Sequence, residues 1–132
     1  MPLMQQESRH ISVFIDRPVA EVYGYACDPT NLPNWAAGLA TGVRSEGGRI
    51  FADSPMGQIE IVFAPKNEFG VLDHDVITED GTRTYNPLRV VADGDSSELT
   101  FSVRRRDATQ EEFDRDCAAV LADLQTLKSI ME

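Results

Sequence analysis

The 132-residue sequence predicts an α+β protein: a seven-stranded antiparallel sheet, two short helices after the first strand, and one long helix after the last. Three observations predict this class: an uninterrupted amphipathic segment at the end of the chain, short alternating segments before it, and turn residues between those segments. Because the strands follow one another through short turns, we expect them to be antiparallel. A chain of this length is expected to form one domain over residues 1–132.

The long helix is predicted over residues 109–132. Thr109 and Glu112 have the spacing of a capping box, in which each side chain accepts a hydrogen bond from the other residue's backbone N–H. After them, apolar residues recur at steps of three and four without Gly or Pro, namely Phe113, Cys117, Val120, Leu121, Leu124, Leu127 and Met131. We expect this apolar stripe to pack against the sheet.

The two short helices are predicted between the first and second strands. Residues 8–15 alternate between apolar and polar side chains, as expected for a strand. Asp16 is then the predicted N-cap of the first short helix, with Pro18 in its first turn. Asp28 is the predicted N-cap of the second, over residues 30–35, because Pro29 ends the preceding helix.

Six further strands are predicted between the short helices and the long one. Each is bounded by turn residues that contain Gly or Pro, and Asp80-Gly81 is typical of a two-residue hairpin turn. The predicted strands cover residues 41–45, 49–53, 58–64, 71–78, 83–91 and 98–104.

Composition and charge exclude several classes of function. Twelve basic and 22 acidic residues give a formal net charge of −10, which would repel a phosphate backbone or anionic lipids, so nucleic-acid binding is not expected. The basic run at residues 104–106 is interpreted as a solvated surface. No apolar run is long enough to span a membrane, and residues 1–10 lack the apolar segment of a signal peptide, so we expect no membrane insertion and a cytoplasmic location.

The motifs near the N-terminus carry a family resemblance. The motifs are Ile11-Ser12-Val13, then Asp16-Arg17-Pro18-Val19-Ala20-Glu21-Val22-Tyr23, then Cys27-Asp28-Pro29-Thr30-Asn31-Leu32-Pro33-Asn34-Trp35. Together with the order of elements, they resemble the START-related helix-grip superfamily (SRPBCC), which includes polyketide cyclases, aromatases, plant hydrophobic-ligand carriers and coenzyme Q-binding proteins. The resemblance implies a curved sheet around the C-terminal helix and a cavity that holds a small apolar or amphipathic molecule.

Within such a cavity, side chains of the helix stripe, the sheet and the short helices are expected to contact the ligand. The predicted ligand-binding residues are Trp35, Ile61, Phe63, Asn86, Leu88, Phe101, Cys117, Val120, Leu121 and Leu124. The spacing of His, Cys and acidic residues does not match a metal site, and no glycine loop suited to a phosphate is followed by a predicted helix. We therefore expect neither a metal nor a cofactor.

The hairpin over residues 71–91 supplies the candidates for acid-base chemistry. A two-residue turn at Asp80-Gly81 pairs Asp75 with Asn86, which places Asp73 and Asp75 on the more aliphatic face and favours that face as the cavity side. Two carboxyl groups on an apolar wall could act as acid and base. A slip of one residue would exchange the faces and bring His74 into the cavity with Tyr85.

Three functions remain open from the sequence. The first is a binding protein for a small hydrophobic or amphipathic molecule. The second is an enzyme of the cyclase, dehydratase or aromatase kind that uses Asp73, Asp75 or His74. The third is a protein-interaction module whose core is filled by its own side chains. Exposed edge strands are also compatible with a homodimer.

Overall fold

The computed structural model describes residues 7–36 and 40–132, and this part of the chain contains eight strands, three α-helices and one 3₁₀ turn. The predicted absence of a signal peptide rests partly on residues 1–6, which lie outside the described residues. In chain order the elements are β1 (Ser8–Ile15), α1 (Val19–Ala26), the 3₁₀ turn (Pro29–Asn31), α2 (Leu32–Trp35), β2 (Gly42–Glu46), β3 (Arg49–Ser54), β4 (Gly57–Phe63), β5 (His74–Ile77), β6 (Arg83–Asn86), β7 (Leu88–Asp93), β8 (Ser96–Arg104) and α3 (Gln110–Met131).

The α+β class and the long C-terminal helix are confirmed, but the single seven-stranded sheet is wrong. The strands form a three-stranded sheet of order β1-β8-β7 and a five-stranded sheet of order β2-β3-β4-β5-β6, both antiparallel. The extra strand arises because Pro87 divides the segment predicted as one strand into β6 and β7. Proline has no N–H to donate to a ladder, so regular pairing stops there.

The two sheets remain connected beside this break. Leu72 donates its backbone N–H to the Leu88 carbonyl at 2.7 Å, and Val90 donates to the Gly70 carbonyl at 2.9 Å. These bonds place the segment before β5 next to β7, so the chain passes from one sheet to the other on both strands of the hairpin. The result is a bent surface that packs around α3.

The predicted two-residue turn between β5 and β6 is also wrong. Thr78 donates its N–H to the Thr82 carbonyl, so three residues, Glu79 to Gly81, form the loop. Gly81 has a φ of 86°, the left-handed conformation that completes a three-residue hairpin loop. This longer loop moves the register by one residue and pairs His74 with Asn86 instead of Asp75 with Asn86.

The helix ends follow the sequence signals in two cases of three. Thr109 and Glu112 form the predicted capping box of α3, and the Asp28 carboxylate accepts the Thr30 N–H at the start of the 3₁₀ turn. The predicted Asp16 cap is wrong, because α1 begins two residues later with Pro18 at its N-cap. The Asp16 carboxylate instead accepts a hydrogen bond from the Ser96 hydroxyl.

Helix α3 packs its apolar side against β1, β8 and α2. Its residues Phe113, Cys117, Leu124 and Leu127 are buried, and they belong to two neighbouring core clusters. Neither cysteine is in a disulfide, and Cys117 is a buried packing residue as expected. Among the described residues, no helix combines the length and the apolar composition needed to cross a membrane.

Candidate functional site

A cavity of about 420 Å³ lies between α3, α2 and the inner surface of the strands, and its walls are mainly apolar. Strand β4 contributes Ile61 and Phe63, while β8 contributes Phe101. These side chains line it because alternate residues of a strand face the same side, and the bent sheets direct those sides towards α3. On the opposite wall, Val120 and Leu124 project from successive turns of the helix.

Eight of the ten predicted ligand-binding residues line this cavity, namely Trp35, Ile61, Phe63, Asn86, Leu88, Phe101, Val120 and Leu124. The other two lie elsewhere. Cys117 packs in a separate cluster with Val103 and Phe113, and Leu121 is 38% exposed. The stripe on α3 is wider than the part that reaches the cavity, which explains both departures. Ligand contact by the eight lining residues remains a prediction.

His74 lies in the cavity wall, as the slipped register of the hairpin requires. Its Nδ1 is 3.1 Å from the Leu72 carbonyl oxygen, which can only accept, so Nδ1 carries the proton. The ring packs between Phe63 and Phe101, with centroid distances of 5.3 and 5.9 Å. Burial lowers the pKa of His74, so the neutral imidazole is favoured and Nε2 is left as a hydrogen-bond acceptor.

Asp73 is absent from the cavity lining and sits at the bend between the sheets, where three groups hold its carboxylate. It accepts the Leu88 N–H at 2.9 Å, the Arg89 guanidinium at 3.0 Å and the Tyr85 hydroxyl. Burial alone would raise the pKa of Asp73, but the hydrogen bonds from Arg89, Tyr85 and Leu88 outweigh it and lower the pKa. Asp73 is therefore an ionised carboxylate whose hydrogen bonds from three residues hold the bend between the sheets in place.

Asp75 is also outside the cavity lining, where its carboxylate forms an ion pair with Arg83 at 2.6 Å. Strand alternation explains this placement, because His74 and Val76 face the cavity and the residue between them faces away. The predicted pair of cavity carboxylates is therefore wrong in geometry. This interpretation of the hairpin failed because the turn at Gly81 is one residue longer than predicted.

Asp123 is a cavity residue that the sequence interpretation missed. It lies on α3 beside Val120 and Leu124 and is only partly exposed. Burial raises its pKa to about 6. The signal was present in the sequence, because position 123 is three residues after Val120 and four before Leu127, which is the spacing of the apolar stripe.

The rim of the cavity is formed by exposed residues from two strands and two connecting segments. Met56 comes from the turn between β3 and β4, Tyr85 from β6, and Arg104 and Arg106 from the end of β8 and the segment that follows. The two arginines donate to neutral oxygens, those of the Ser8 hydroxyl and the Tyr85 carbonyl. The basic run at residues 104–106 is thus exposed for the most part and also borders the cavity.

Within residues 7–36 and 40–132, no three His, Cys, Asp or Glu side chains are grouped so that they could hold a metal ion. The two acidic residues of the cavity lining, Asp116 and Asp123, lie seven residues apart on α3, and the one histidine, His74, lies on β5. Their arrangement suits hydrogen bonding to an organic molecule better than metal coordination.

Comparisons with known proteins identify the fold. No protein-family model matches the chain, and no curated protein does. Among solved structures, an uncharacterised protein from Bacillus thuringiensis has a TM-score of 0.73 at 14% identity, over 95% of this chain and 98% of its own. CalU16 from Micromonospora echinospora has a TM-score of 0.68 at 17% identity, over 95% of this chain and 74% of its own.

Two further solved structures have the same fold. DynU16, a protein of the dynemicin biosynthetic locus, has a TM-score of 0.70 at 17% identity over 92% of this chain, which spans only 46% of DynU16. Norcoclaurine synthase from Thalictrum flavum, in a complex with dopamine and hydroxybenzaldehyde, has a TM-score of 0.62 at 13% identity, over 96% of this chain and 86% of its own. At these identities the likeness concerns the fold, and it shows that this chain has the helix-grip fold of the START-related (SRPBCC) proteins.

Proposed function

We propose that the protein binds a small hydrophobic or amphipathic molecule in the cavity between its sheets and α3. The observation that carries this proposal is the cavity itself: about 420 Å³ of space with mainly apolar walls. Small-molecule sites in proteins are typically concave and apolar, with volumes of roughly 300–1,000 Å³ and a few polar groups that orient the ligand. The complex of norcoclaurine synthase supports the proposal, since that protein of similar fold holds two small aromatic molecules.

The volume also limits the ligand. A cavity of about 420 Å³ lies near the lower end of that range, so the ligand would be closer to a single fused-ring system or a short chain than to a sterol. Phe63 and Phe101 offer aromatic faces to such a molecule, and His74 offers one hydrogen-bond acceptor between them. A flat ligand with a hydroxyl or N–H group would match this wall.

The two alternatives have less support. Of the three candidate residues for an acid-base enzyme, only His74 lines the cavity, because Asp73 and Asp75 lie outside the lining. The interaction module requires a core filled by the protein's own side chains, and the open cavity argues against it. A homodimer is still a prediction without a structural observation in its favour.

The test is binding of a neutral apolar probe, N-phenyl-1-naphthylamine, followed by its fluorescence. Ala119 is exposed, lines the cavity and lies on α3, so Ala119→Trp would place an indole across the opening. The matched control is Ala118→Trp, at the adjacent exposed residue that does not line the cavity. Both variants make the same change in composition on the same helix.

We expect saturable binding at one site per chain, weakened by Ala119→Trp and unchanged by Ala118→Trp. Equal binding by both variants would place the probe elsewhere, and absence of binding to the folded parent protein would contradict the proposal. Native mass spectrometry of protein purified from its own host would then identify a resident ligand, as a mass that is lost on denaturation.

A further inference from the structure

The polar group that stands out in the cavity wall is the carboxylate of Asp123. Its neighbours on the same wall are the apolar side chains of Val120 and Leu124. Removing a carboxylate from water is costly unless a positive charge or several donors compensate it. Among the described residues, no ion pair or side-chain hydrogen bond reaches the half-buried Asp123 carboxylate, and this burial raises its pKa to about 6.

The other charged and titratable groups that face this cavity are engaged elsewhere. His74 on β5 donates to a backbone carbonyl, and Arg105 is held by Glu7 and Gln110. Arg104 and Arg106 donate to the Ser8 hydroxyl and the Tyr85 carbonyl. Tyr85 donates its hydroxyl to Asp73. The remaining group is Asp116, an exposed acid on the same helix, which adds negative potential.

We propose that Asp123 is a specificity-determining residue that pairs with the positively charged nitrogen of an amphipathic amine, whose apolar part fills the cavity. This inference rests on the proposed function, and it narrows the ligand class. A cationic head is the group that would compensate a carboxylate in an apolar wall. A carboxylate head would instead be repelled by Asp123, although the rim arginines could attract it.

The inference has a signature in the pH dependence of binding. A protonated amine favours the ionised carboxylate, so its affinity should rise as the pH increases through about 6, the pKa of Asp123. A neutral ligand removes water from the carboxylate and favours the protonated form. Its affinity should therefore fall over the same pH interval. Titration of Asp123 should therefore change the affinities for the amine and for the neutral ligand in opposite directions.

The experiment compares octylamine, octanol and octanoate by isothermal titration calorimetry between pH 5 and pH 8. The three probes share a chain length and differ in head group, and the amine stays protonated throughout. The variants are Asp123→Asn and, as a control for net charge, Glu111→Gln, which removes one negative charge from an exposed position of α3 outside the cavity lining. Urea unfolding confirms that each variant is folded.

At pH 8 we expect octylamine to bind about tenfold or more tightly than octanol, as a charge-assisted hydrogen bond provides. Asp123→Asn should reduce that preference to within about twofold and remove the opposite pH trends, while Glu111→Gln keeps both. Equal binding of amine and alcohol, or tighter binding of octanoate, would overturn the role of Asp123 and leave the proposed function intact. If no probe binds to the folded protein, both proposals fail.

Discussion

The bend at Pro87 depends on one buried carboxylate, and replacing it gives a prediction that separates a structural role from a catalytic one. In Asp73→Ala the Leu88 N–H would lose its partner while it stays buried. A buried N–H donor without a hydrogen-bond partner lowers the free energy of unfolding by about 1–3 kcal/mol. The bonds from Tyr85 and Arg89 contribute less, roughly 0.5–1 kcal/mol each, because both side chains are about half exposed.

We therefore expect Asp73→Ala to lower the free energy of unfolding by about 2–5 kcal/mol. Asp73→Asn should cost about half as much, because the amide oxygen still accepts the Leu88 N–H. The matched control is Asp75→Ala, since Asp75 neighbours Asp73 and pairs with the exposed Arg83. Its loss should cost less than about 1 kcal/mol.

The assay is urea unfolding at pH 7, read by circular dichroism and by Trp35 fluorescence, with m-values compared between variants. The effect of Asp73 should also disappear in acid. Its folded-state pKa is lowered, so its stabilisation is present above the unfolded-state value and is lost as the pH falls through the folded-state value. A cost below 1 kcal/mol for Asp73→Ala, or equal costs at positions 73 and 75, would refute the structural role.

Three further predictions concern the core, the backbone and the cavity histidine. Leu124→Ala should cost about 2–5 kcal/mol in urea unfolding, and Leu121→Ala less than about 1 kcal/mol, because only the first is fully buried. Gly70→Ala should cost about 3 kcal/mol or more, since Gly70 has a φ of 72° and an added Cβ would collide with a carbonyl oxygen of β7. Gly24→Ala has open space within a helix and should stabilise by up to about 1 kcal/mol. At the pH where an ordinary histidine is half protonated, about 6.5, His74 should be mostly neutral with its proton on Nδ1 in ¹⁵N NMR spectra, because burial lowers its pKa. Stability should fall as the pH drops below that value; a mostly doubly protonated ring at that pH would contradict this placement.

The long helix was predictable because its signals are local. The capping box at Thr109 and the apolar stripe that follows are set by residues a few positions apart, and the structure has both. Most strand positions were predictable for the same reason, since alternation and turn residues act within ten residues. The family resemblance added how these elements surround a cavity, which no local pattern specifies.

The candidate site was less predictable because it depends on one turn. Whether Asp80-Gly81 closes a loop of two residues or three is decided at Asp80, because a two-residue type I′ turn needs a positive φ at both positions and only Gly81 of the pair has one. The dipeptide itself suits both lengths. The one additional residue in the loop shifts the pairing of β5 with β6 by one position. As a result, His74 lies in the cavity wall and Asp73 and Asp75 lie outside it. The break at Pro87 was readable in principle, because proline is disfavoured inside a strand.

The most direct test of ligand binding in the cavity is to locate a bound apolar molecule by NMR. Octanol would be titrated into protein with labelled Ile and Val methyl groups. We predict saturable shifts and intermolecular NOEs at Ile61, Val76 and Val120, which line the cavity, with the exposed Val62 and Val91 unaffected. NOEs confined to Val62 or Val91, or an absence of saturable shifts at the three cavity residues, would contradict the proposal that this fold holds its ligand between the sheets and α3.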